Sequence, residues 1–141
     1  MKKKVILLGL SLFLSLPIFA QNIFKAAQSN DVTGIKFLLN YGVNINARDI
    51  KGNTPLIIAV KENKQRAADF LIEKDADLNL QDNEGNTALI AAVNTGNAPL
   101  IKILIQHGAD AKIEDKNHKS AADYARGLSD PTILSMLSAS L

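Results

Sequence analysis

Gly52 to Val60 reads GNTPLIIAV, and Gly85 to Val93 reads GNTALIAAV. The two phrases sit 33 residues apart in a chain of 141. Such a pair is either one site used twice or one structural element built twice, and the surrounding register decides. Asp49, Asp82 and Asp115 keep the same spacing, as do Gly52, Gly85 and His118, and Thr54, Thr87 and Ser120. Leu56, Leu89 and Ala122 follow, then Ala59, Ala92 and Ala125. Further along, Phe70-Leu71-Ile72 aligns with Ile103-Leu104-Ile105, and Ala76-Asp77 with Ala109-Asp110. Backwards, Ala26, Phe37-Leu38-Leu39 and Gly42 fall in register. A fixed period of this length marks stacked supersecondary units. Four are expected, over residues 21–48, 49–81, 82–114 and 115–141.

Each recurring residue has a mechanical role. Asp49 and Asp82 open a turn, where a short carboxylate accepts hydrogen bonds from amides a residue or two on. Gly52 and Gly85 allow that turn a positive φ. Thr54 and Thr87 are read as N-caps, and Pro55 follows at the first helical position, where its missing N–H loses nothing. Leu56, Ile57, Ala59 and Val60 share one helical face. Small Ala59 and Ala92 let neighbouring helices approach. A second helix carries Ala67, Phe70 and Leu71 in one unit and Leu100, Ile103 and Leu104 in the next. Gly42 and Gly108 fit the position just past a helix end, and Asp75 takes that place in the second unit at some conformational cost.

The stretches "DIKGNTPLIIA…FLIEKDADLN" and "DNEGNTALIAA…ILIQHGADAK" resemble the ankyrin repeat. The resemblance covers residues 22 to 137. It implies an all-α solenoid of stacked helix-turn-helix units, about four, with the end units acting as caps. The family's usual His after the leucine is Ile57, Ile90 and Asp123 here, so the hydrogen bonds of that His are absent. End units of a solenoid must shield open faces and so depart from the pattern. The first lacks the turn, with Asn22 read as a cap and Asp31 capping its second helix. The last has His118 for Gly, Ala122 for Leu and Asp123 for Ile, and Asp130-Pro131 opens a final helix through Leu137.

Residues 1–20 follow a different rule. Lys2, Lys3 and Lys4 precede an apolar run from Val5 to Phe19 that closes on Ala20. A basic start, a short apolar middle and a small residue form the pattern of a secretory signal peptide, expected to be cut after Ala20. The run is short for a membrane span, so no stable membrane insertion is expected after cleavage. The domain proper is then 21–141, located in the periplasm or secreted. The whole chain carries 16 Lys+Arg against 14 Asp+Glu, a net of +2, and removing three lysines leaves 13 against 14, a net of −1. That balance gives no reason to expect nucleic acid, which demands a basic face. With no Cys, the exported chain has no disulfide and depends on packing.

The catalytic residue types are sparse. His107 sits near a helix end and His118 at a turn, where Glu114 and Asp115 stand close in sequence. Closed metal sites need more ligands than this, so the surface reading is preferred and no metal or cofactor is expected. There is no nucleophile elbow around a Ser and no glycine loop for phosphate. Asp75 and Asp77 lie in a loop and are not read as an acid–base pair. Lys61, Glu62, Lys64 and Arg66 form a charged corner between two helices, read as a solvated face.

Individuality is therefore left to the residues that do not repeat. In ankyrin-like proteins the turn tips and the exposed side of the first helix line a concave face. The resemblance places there Ile50, Lys51 and Asn53 with Lys61 and Glu62. Asn83, Glu84 and Asn86 join Asn94 and Thr95 in the next unit, followed by Lys116, Asn117 and Lys119. The expected function is a monomeric, non-catalytic module that binds another protein through this face. Alternatives are an immunity or inhibitor protein that neutralises a toxin or enzyme, a secreted factor acting on a host cell, or a small-ligand or enzymatic groove between units. Fold resemblance alone does not choose among them.

Overall fold

The structure is a computed structural model and describes residues 22–141. The leader expected over residues 1–20 lies outside the described residues. All regular structure among them is helical: α1 over 22–28, α2 Val32–Asn40, α3 Pro55–Lys61, α4 Gln65–Glu73, α5 Ala88–Asn94, α6 Ala98–Gln106, α7 Ala121–Arg126 and α8 Pro131–Ser138. Each unit contributes two consecutive helices, and in the last three units these pack as a pair, α3 on α4, α5 on α6 and α7 on α8. The first helices contact one another in series, α3 on α5 and α5 on α7. The second helices do the same, α2 on α4, α4 on α6 and α6 on α8. The core is the seam between these two rows.

The helix starts are chemical. Thr54 Oγ1 accepts the Ile57 amide at 3.2 Å, and Thr87 Oγ1 accepts that of Ile90 at 3.2 Å. Pro55 occupies the first position of α3. Asp31 Oδ1 takes the Gly34 amide at 2.9 Å, and Asp130 Oδ1 that of Thr132 at 2.9 Å. Asn22 already lies inside α1, so it does not cap that helix. Asp123 has a use the repeat pattern hides. Its carboxylate accepts the Ser120 amide at 2.9 Å while Ser120 Oγ accepts the Asp123 amide at 3.3 Å. This reciprocal capping box satisfies two free helix-end donors, so the polar residue belongs at that position in the end unit.

Leu56, Ile57, Ala59 and Val60 are all buried, as are Leu89, Ile90, Ala92 and Val93 one unit later. Ile57 and Ile90, where the family carries His, are fully enclosed and add apolar area in place of a hydrogen-bonded ring. In α4 and α6, Ala67, Leu71, Leu100 and Leu104 are fully buried, whereas Phe70 and Ile103 are only half-buried against the core. The unit size explains the repetition: two helices of six to nine residues cannot hide their apolar faces alone and must bury them on a neighbour.

Asp75 adopts φ +59°, in the register of Gly42 at +86° and Gly108 at +87°. Its side chain is exposed and makes no hydrogen bond among the described residues. Asp75→Gly is therefore expected to raise stability, by about 0.5–1 kcal/mol, because the left-handed backbone is unfavourable for a residue with a Cβ. Urea unfolding of the two chains checks this; an unchanged or lower midpoint would contradict it.

Candidate functional site

The face in question is built by the turns. Asp49 Oδ1 accepts the amides of Lys51 and Asn53 at 2.9 and 2.8 Å. Asp82 Oδ1 does the same for Glu84 and Asn86, both at 2.9 Å, and Asp115 Oδ1 for Asn117 and Lys119 at 2.8 and 3.1 Å. One short acceptor thus folds each tip.

The tips are then stitched to each other. Asn83 donates its amide to Lys51 O at 2.9 Å, and Lys116 donates to Glu84 O at 3.0 Å. Asn83 Nδ2 adds a bond to Ile50 O at 3.0 Å. Beneath them Arg48 Nη2 reaches Gln81 O at 2.9 Å, and Gln81 Nε2 reaches Glu114 O at 2.9 Å. These bonds hold the tips as one rigid ladder across units.

Ion pairing ties the ladder to the helices. Lys61 Nζ, on α3, contacts Asp82 Oδ2 of the next unit at 2.7 Å and Asn53 Oδ1 at 2.9 Å. Burial works against ionising Asp82, but its bonds to the Lys61 ammonium and to the Asn86 and Glu84 amides outweigh it and hold the carboxyl below its ordinary value. Asp115 is also opposed by burial and held low, by the Tyr124 hydroxyl and the Lys119 and Asn117 amides. The same contact with Asp115 raises Tyr124.

Two open grooves lie along this face. One, of about 630 Å³, brings together five of the expected residues, Ile50, Lys51, Asn53, Lys61 and Glu62. It is completed by Phe24, Lys25 and Gln28 of α1, by Asp49, and by Ile58. The other, of about 430 Å³, gathers Glu84, Asn86, Asn94, Lys116 and Asn117 with Asp115 and Tyr124. Asn83, Thr95 and Lys119 line neither groove. Thr95 Oγ1 is bonded to Ala92 O at 3.0 Å, and Lys119 Nζ lies 5.5 Å from the Tyr124 ring centroid.

Ile50 is 94 % exposed, the most exposed large apolar residue described. Two expected contact residues have other duties. Asn53 is only 7 % exposed, and its amide bridges Asp49 and Lys61. Lys61 is an ion-pair clamp between units. Both are walls of the groove, not free contact groups. Sequence reasoning missed the α1 residues because the first unit carries no turn motif in its sequence; shifting the register back by one unit from Ile57, Ile58 and Lys61 would have found Phe24, Lys25 and Gln28.

Among the described residues no three His, Cys, Asp or Glu groups gather in a metal-binding arrangement, and no helix is long and apolar enough to cross a membrane. His107 Nδ1 lies 2.9 Å from Ile103 O, and His118 faces Glu114 at 3.8 Å with both side chains largely exposed.

A family model described as "Ankyrin repeats (3 copies)" matches residues 21–82, and one described as "Ankyrin repeats (many copies)" matches residues 71–125. The chain belongs to the ankyrin repeat family. Ankyrin repeats indicate a protein–protein interaction module. No curated protein matches the chain.

The lowered carboxyls make this ankyrin domain's stability depend on pH with a defined sign. A carboxyl whose folded pKa is depressed contributes stability in full above its unfolded value, here the ordinary 3.8, and loses it as pH falls through the folded value. The urea midpoint is expected to decline as pH drops below about 4. Lys61→Gln should lower stability at neutral pH by about 1 kcal/mol, at the lower end for a charged hydrogen bond since Lys61 is 38 % exposed, and flatten part of the acid slope. A slope identical in the two chains would remove Asp82 from the account.

Proposed function

We propose that this ankyrin domain is an exported, periplasmic, non-catalytic binding module that holds a partner protein along the turn tips and the first helices. The observation that carries the reading is Ile50, an apolar side chain 94 % exposed on a rigid tip at the mouth of a 630 Å³ groove. Folding leaves such a residue nothing to pack against, and a rigid rim lowers the entropic cost of binding. Export rests on the leader pattern of residues 1–20.

A photo-crosslinking residue at position 51 tests the reading in the native cell, against one at position 102 on α6. A defined adduct is expected from position 51 and none from 102, and Ile50→Asp should reduce it at least about fivefold, as for an interface anchor. Equal adducts from both positions would argue against this face. Fractionation of cells carrying the full chain tests export: a shortened product outside the cytoplasm is expected, and a full-length cytoplasmic product would refute it.

A further inference from the structure

Residues 61 and 94 close α3 and α5 at the same place in successive units, but one is Lys and the other Asn. The groups they face recur. Lys61 puts its ammonium between Asn53 Oδ1 at 2.9 Å and Asp82 Oδ2 at 2.7 Å. One unit on, those acceptors return as Asn86 and Asp115. Asp115 Oδ1 takes two tip amides just as Asp82 Oδ1 does. Asn94 is too short to make the reach of Lys61. Asn86, Asn94 and Asp115 line the 430 Å³ groove instead, with Glu84, Lys116 and Tyr124. Tyr124 donates its hydroxyl to Asp115 Oδ2. A carboxylate oxygen has a second lone pair, so Asp115 still has room for another donor. Glu84 is exposed beside it, with one long contact at 3.5 Å from Asn86 Nδ2. Lys116 makes no ion pair among the described residues, and the Lys119 ammonium lies over the Tyr124 ring.

We infer that the groove between the third and fourth tips is a subsite for a lysine side chain of the partner protein. Its ammonium stands between Asn86 Oδ1 and Asp115 Oδ2, as the Lys61 ammonium stands between Asn53 Oδ1 and Asp82 Oδ2, and Glu84 adds a second carboxylate. The molecule itself sets the ligand class, because one unit earlier the same pair of acceptors holds an ammonium. A carboxylate side chain would meet like charge from Glu84 and Asp115. An apolar side chain would bring these acceptors nothing while taking water from them. The Tyr124 ring gives the aliphatic stem of a lysine an apolar wall. Lys116 opposes the incoming charge, so its removal has a defined sign.

The subsite rests on the concave-face reading, and the test separates the two. The isotope-labelled full chain is titrated with capped tetrapeptides of glycine around one lysine, one acetyllysine or one glutamate. The lysine peptide is expected to shift the amide signals of Glu84, Asn86, Asn94 and Lys116 in a saturable way. It should bind about threefold tighter than the acetyllysine peptide, within the range of an exposed ion pair. Asn94→Lys should raise the urea midpoint and weaken the lysine peptide about fivefold, because the chain then supplies the ammonium itself. Asn94→Gln, also uncharged, should leave the peptide preference as it was. Lys116→Gln should tighten the lysine peptide about twofold and leave the urea midpoint unchanged. Acetyllysine or glutamate bound as well as lysine overturns the subsite. So does an Asn94→Lys chain that is no more stable and binds the lysine peptide as before. Shifts confined to Ile50 and Lys51 overturn this subsite and leave the concave face standing. A lower urea midpoint for Lys116→Gln makes Lys116 the occupant and overturns the partner. A lysine preference here without an adduct from position 51 keeps the chemistry of the groove and overturns the reading of the face.

Discussion

Gly85→Ala is expected to destabilise the chain by about 3 kcal/mol or more, while Gly108→Ala costs about 1 kcal/mol, although both glycines have nearly the same backbone angle. Their φ values are +85° and +87°. The difference is what a methyl group would meet. At Gly108 there is nothing within 4 Å. At Gly85 a Cβ would lie 2.8 Å from Lys116 N, 2.9 Å from Asp115 Cα and 3.0 Å from Asp115 C. Those are backbone atoms of the next turn, and no rotamer change can move them aside. Relief must come from opening the Lys116-to-Glu84 bond at 3.0 Å, which holds the third and fourth tips together. Urea unfolding of both variants reads the difference directly. Equal losses would mean that the tips tolerate separation and that the rigid ladder is not what fixes the face.

This contrast also explains which parts of the fold were readable. Thr54, Thr87, Asp31 and Asp130 act within three residues of themselves, so their caps follow from local spacing. The turn glycines were legible for their backbone angle, but their tight contact with the following tip is a relation between units and has no signature within one. His118 shows the other side of that relation. It takes the glycine position of its turn at φ +58°, and its side chain is 90 % exposed. Only the intrinsic cost of the angle applies there, so a residue other than glycine is tolerated.

The site was less legible than the fold for a related reason. Counting residues that break the repeat pattern found Ile50, Lys51 and Glu62, which are exposed on the groove. It also selected Lys61, which differs from its register mate Asn94 because it fills a particular polar gap between Asn53 and Asp82, and Asn53, which recurs as Asn86 and is held between Asp49 and Lys61. Variation between units therefore marks either a contact surface or a local repair of packing. Burial separates the two, and burial between units is a long-range property. The α1 wall of the groove was missed because the first unit's sequence offers no turn motif to anchor the count.

Leu89→Ala is expected to cost about 3–4 kcal/mol, within the range for a fully buried leucine whose surroundings close only partly over the hole. Leu89 is 0 % exposed on α5, the helix that packs against both α3 and α7. In a solenoid each unit is held mainly by its neighbours, so a defect in a central unit weakens two interfaces and a defect at an end weakens one. Leu137 on terminal α8 is also 0 % exposed, which makes Leu137→Ala the fitting control. It removes the same atoms, yet its loss should localise to α8 and the helices it packs on, α6 and α7, and spare the groove between α1 and α3. Hydrogen exchange followed by mass spectrometry distinguishes these outcomes. Leu89→Ala should speed exchange in α3 through α7, whereas Leu137→Ala should speed it only from α6 onward and leave α3 unchanged. If both variants accelerate every helix equally, the four units unfold as one block, and the tip ladder couples them more strongly than nearest-neighbour packing alone.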